Sequence, residues 1–132
     1  MARIGEAALV FVLLMADDVL NAQQFPVVGA TYQLNSARYP EKVAICSSQQ
    51  AMTKYIEAEA KKDSATTRRM LFEIETSKDF ARMKNAGGCT LISSSSQATI
   101  LEKGVGAHRA EFMALPFEGM WGYYLYFGGR VR

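Results

Sequence analysis

Two cysteines, one histidine, one tryptophan and three prolines in 132 residues leave little room for several kinds of chemistry. There is no Cys-x-x-Cys pair and His108 is the sole imidazole, so a closed zinc site lacks soft ligands. Neither a metal nor a cofactor is expected. No Walker loop is present and no Gly-x-Gly-x-x-Gly follows a strand; Gly104-Val105-Gly106 reads as a turn. Basic residues form no stripe. The close pairs Lys61-Lys62, Arg68-Arg69 and Arg130/Arg132 read as solvated helix faces and ends, and nucleic acid is not an expected partner. Glu57/Glu59 and Glu73/Glu75 are spaced two apart, which on a helix turns them to different sides and spoils a general acid–base pair.

What is present suits one globular domain: 49% hydrophobic residues, 21% charged and a formal charge of +2. Arg3 precedes the uncharged run Ala7–Ala16, which fits the apolar core of a signal peptide and is too short to span a bilayer. Residues 1–22 are therefore read as a leader cut after Ala22, leaving residues 23–132 as a single domain in the periplasm or outside the cell, with no membrane span after cleavage. The competing reading is a buried N-terminal helix, apolar all round. In an oxidising compartment Cys46 and Cys89 are expected to form a disulfide; a metal site or a nucleophilic thiol are the alternatives.

Pro26, Gly29, Asn35-Ser36 and Pro40 surround the strand-like Ala30–Leu34, so residues 23–42 read as an irregular arm over the core. The helical part is expected over about 47–86. Ser47 and Gln50 have capping-box spacing. Met52, Tyr55, Ile56 and Ala60 recur on one helical face, Asp63-Ser64 and Thr76-Ser77 offer further caps, and Asn85-Ala86-Gly87-Gly88 is a stop. From Cys89 the texture is of strands: Cys89–Ile92, Ala98–Glu102, Ala110–Leu115 and Trp121–Phe127, with turns at Ser93–Ser96 and Gly104/Gly106. Alternation in the last strand places Trp121, Tyr123, Leu125 and Phe127 on one face, Tyr124 and Tyr126 on the other. The fold class expected is α+β, a helical segment followed by a small antiparallel β-barrel with one disulfide.

Val43–Cys46, Gly88-Cys89, Ala98–Glu102, Glu111–Pro116 and Gly119-Met120-Trp121-Gly122-Tyr123 together resemble a group of small exported bacterial proteins of uncharacterised role that carry a Src-homology-3-like barrel. The resemblance implies a non-catalytic module binding peptide or cell-wall material. Trp121, Tyr123, Tyr124 and Tyr126 are the candidate binding surface, because exposed aromatics stack on sugars or proline; core packing is the other use of such residues. No catalytic residue is assigned. The alternatives are a small hydrolase or thiol enzyme built on His108 and a serine of Ser93–Ser96, or on a cysteine, and an inhibitor presenting the Ser93–Ser96 loop.

Overall fold

The computed structural model describes residues 26–115 and 118–131. The expected leader and its cleavage point lie outside the described residues. Seven strands and three helices follow in the order β1 (Thr31–Leu34), β2 (Lys42–Cys46), α1 (Gln49–Ala60), α2 (Ser64–Met70), α3 (Ser77–Asn85), β3 (Cys89–Ser93), β4 (Gln97–Lys103), β5 (Ala107–Phe112), β6 (Met120–Tyr123), a single 3-10 turn (Tyr124–Tyr126) and β7 (Phe127–Arg130).

Each helix begins where a short polar side chain satisfies an orphan backbone donor. Ser48 caps α1 by accepting from the Ala51 N–H at 3.0 Å, one residue later than the Ser47 cap expected. Asp63 caps α2 through the Thr66 N–H, and Thr76 with Asp79 makes a reciprocal capping box on α3. Both α1 and α3 end in a left-handed residue with paired return hydrogen bonds. In α1 these run from Lys62 N–H to Glu59 O and from Asp63 N–H to Ala58 O; in α3, from Gly87 N–H to Lys84 O and from Gly88 N–H to Met83 O.

The strands form one antiparallel sheet in the order β3-β2-β6-β5-β4-β1-β7. Side chains of directly opposed residues share a face. The rows Tyr32–Ala98–Phe112 and Ile100–Ala110–Met120, with Leu34 opposite Phe127, therefore build one continuous apolar face, and all these residues are buried. This face is covered by the sheet itself. In the strand order β1 and β4 separate β7 from β5, which in a flat sheet is about 14 Å. Yet the Phe127 ring lies 6.1 Å from Phe112 and 5.8 Å from His108, so the sheet curls strongly. Gly122 permits that closure: a Cβ there would lie 2.9 Å from Phe112 Cζ. The opposite face carries Cys46 and Trp121, which pair across β2 and β6, and α1 packs over it.

The molecule is thus an α+β fold with one disulfide, and two expectations need correction. The sheet ladder ends at β3 and β7 and does not close. The helices do not precede the strands as a separate segment: β1 and β2 come first, and the strand in the supposed arm is paired inside the sheet between β4 and β7. The arm reading failed because β1 is short and flanked by turn formers, while its partners lie more than sixty residues away along the chain.

Cys46 and Cys89 are bonded across β2 and β3. The Ser47 N–H donates to Gly88 O, so the next opposed pair, Cys46 and Cys89, occupies a non-hydrogen-bonded position, where strands approach most closely. Both cysteines are fully buried. With a sequence separation of 43, the bond contributes about 4 kcal/mol in the chain-entropy account.

A tyrosine-lined groove as the candidate site

Where β6 ends at Tyr123, the chain tightens into the 3-10 turn and leaves the edge of β2 that faces away from β3 unpaired beyond Cys46. Ala44 alternates with the residues that bond to β3, so its backbone faces this gap. Tyr126 fills it: its ring is buried, and its hydroxyl is hydrogen-bonded by the Ala44 backbone. Burial pushes this phenol well above its ordinary range, and the nearby Tyr39, Glu59 and Tyr55 push the same way. It stays protonated at any physiological pH.

Around Tyr126 an open groove of about 630 Å³ runs between α1, β2 and the chain before β2. Tyr39 meets Tyr126 edge-on with ring centroids 5.1 Å apart, and Tyr123 meets it at 5.9 Å. From α1 come Tyr55 and Glu59, spaced four apart on one helix face. Burial, then Glu59, raises the Tyr55 phenol. Val43, Ala44, Ile56 and Leu91 supply apolar walls, while Glu41 and Lys42 add charge. Arg38 stands outside the lining with its guanidinium 5.9 Å from the Tyr39 ring centroid.

The four aromatics singled out in the sequence are separated by this geometry. Tyr123 and Tyr126 line the groove. Tyr124 stands beside Tyr123 with centroids 5.0 Å apart, but is exposed and outside the lining. Trp121 is half-buried further along the same face, close to Gly104 and Gln49. The expected alternation is overturned because the 3-10 turn shifts the phase: Tyr126 and Phe127 are neighbours in sequence and both buried. Sequence reasoning missed Tyr39, Tyr55 and Glu59. The i, i+4 spacing of Tyr55 and Glu59 was visible, but Tyr55 reads equally well as core.

His108 and the serines do not meet. His108 is opposite Lys103 at the end of β4, whereas Ser93–Ser96 precede its start, about 20 Å away along the strand. The His108 Nδ1 accepts from the Gly104 N–H at 3.2 Å, and burial, with Lys103 nearby, lowers its pKa below the ordinary value. Ser94 donates to the Glu41 carbonyl. Both cysteines are held in the disulfide. Among the described residues no cluster of three or more His, Cys, Asp or Glu is placed to hold a metal, and no helix is long and apolar enough to cross a membrane. No protein-family model, curated protein or solved structure matches the chain.

Proposed function

We propose that the protein is an exported, non-catalytic binding module that engages peptide or cell-wall material through the groove around Tyr126. The observation that carries this reading is the convergence of Tyr39, Tyr55, Tyr123 and Tyr126 on one open, partly apolar groove. Aromatic walls of this kind bind by stacking and shape without needing a nucleophile or a metal. A disulfide buried in the sheet and a leader-like N-terminus both favour an oxidising compartment. The order β7-β1-β4-β5-β6, with a 3-10 turn between the last two strands in the chain, supports a Src-homology-3-like arrangement into which β2, α1–α3 and β3 are inserted between β1 and β4.

Titrating isotope-labelled protein with soluble peptidoglycan fragments and with a mixed peptide pool tests the reading. Amide and ring shifts are expected to cluster at Tyr39, Tyr55, Tyr123 and Tyr126. Shifts confined to other surfaces, or none with either ligand set, contradict it.

A further inference from the structure

We infer that the groove takes the ammonium group of a lysine-like side chain on a peptide; this rests on the groove being the binding site. Three features converge on a cation. Tyrosine faces carry negative electrostatic potential, and of the four tyrosines that line this groove Tyr39 and Tyr123 are only half-buried, with Tyr55 and Tyr126 buried behind them. Two carboxylates, Glu41 and Glu59, line it against the ammonium of Lys42, so a cationic head group finds acidic partners within the lining itself. The protein already places a cation on the cluster from outside, since Arg38 lies over Tyr39.

The shape fits a cation on an apolar stem. Ile56 and Leu91 offer surface to methylene groups, while the exposed Glu59 and the half-buried Tyr39 and Tyr123 meet the head group. Glu59 raises the phenols of both Tyr55 and Tyr126, which places its charge within reach of the ring cluster. The Tyr126 hydroxyl is engaged by Ala44 and its ring is buried, so Tyr126 backs the groove and holds Tyr39 and Tyr123 in place.

The test compares two capped tripeptides, Ala-Lys-Ala and the same peptide with norleucine replacing lysine, titrated against the wild type, Glu59→Gln and Tyr123→Leu and followed by tyrosine ring shifts. Glu59 is exposed on α1, so Glu59→Gln leaves the fold intact. The lysine peptide is expected to bind about tenfold more tightly than its neutral isostere, a preference within the range of cation–aromatic attraction. Glu59→Gln should cut that preference to about threefold, and Tyr123→Leu should weaken the lysine peptide in particular. Equal binding of both peptides in the groove overturns the cation claim and leaves the groove as a binding site for a neutral ligand. A preference unchanged in Glu59→Gln overturns it as well. Absence of shifts with either peptide also overturns it, and the wider reading falls too if wall fragments and the peptide pool leave the groove unperturbed.

Discussion

His108 shows how the burial of one residue has a measurable consequence for stability. It is buried opposite Gly122, its ring 5.8 Å from Phe127, with Nδ1 accepting a backbone hydrogen bond. The neutral imidazole suits this place, and burial, then Lys103, lowers its pKa from 6.5. Below that value the unfolded chain takes up a proton that the folded chain resists, so unfolding becomes easier as pH falls. Melting temperature is expected to decline from pH 7 to pH 5 in the wild type and to decline less in His108→Gln. Equal slopes for the two proteins would contradict this placement. The residue's role was not visible in sequence, because nothing local says that β5 lies beneath β7. Tyr39 was hidden in the same way: it sits between turn formers with no periodic partner, and only its approach to Tyr126 places it in the groove lining.

Elements were more legible than sites. The starts of α2 and α3 follow from Asp63 and Thr76, whose side chains can satisfy a backbone donor wherever the chain turns helical. The strand β4 and the Gly104/Gly106 turn follow from their residue types. The next strand, β5, runs from Ala107 to Phe112, three residues earlier than the expected Ala110–Leu115, because pairing with β4 begins directly after the turn. The last strand was misread because Tyr123 to Phe127 are all aromatic or apolar, so no polar position betrayed the change of period at the 3-10 turn. The end of α1 gives the sharpest test at this scale. Lys62 holds φ at 57°, the left-handed position of the same return motif that Gly87 occupies after α3. A side chain there is strained, and Lys62→Gly is expected to raise unfolding stability by about 0.5–1 kcal/mol in urea titration. A loss of stability would mean that Lys62 makes a compensating contact.

At the scale of the whole molecule, the sequence conveyed the α+β class and the cysteine pairing but not the sheet order. Pairing of β1 with both β4 and β7, and of β2 with β6, joins segments far apart in the chain, and no local pattern encodes such partners. The groove is a product of that order: it opens where β6 departs from β2 and lies under α1, so it requires the consecutive β2 and α1 to meet a strand that begins more than seventy residues after β2 ends. Its walls are tied to a disulfide-held pair of strands, which suits a small domain working outside the reducing cytoplasm. The central claim is that this is an exported, disulfide-tied binding module, and intact mass of the protein recovered from cells tests it most directly. With alkylation before and after reduction, the account predicts a chain beginning at or near Gln23 whose two cysteines resist alkylation until they are reduced. A chain beginning at Met1 or Ala2, with both thiols alkylated without reduction, would contradict it.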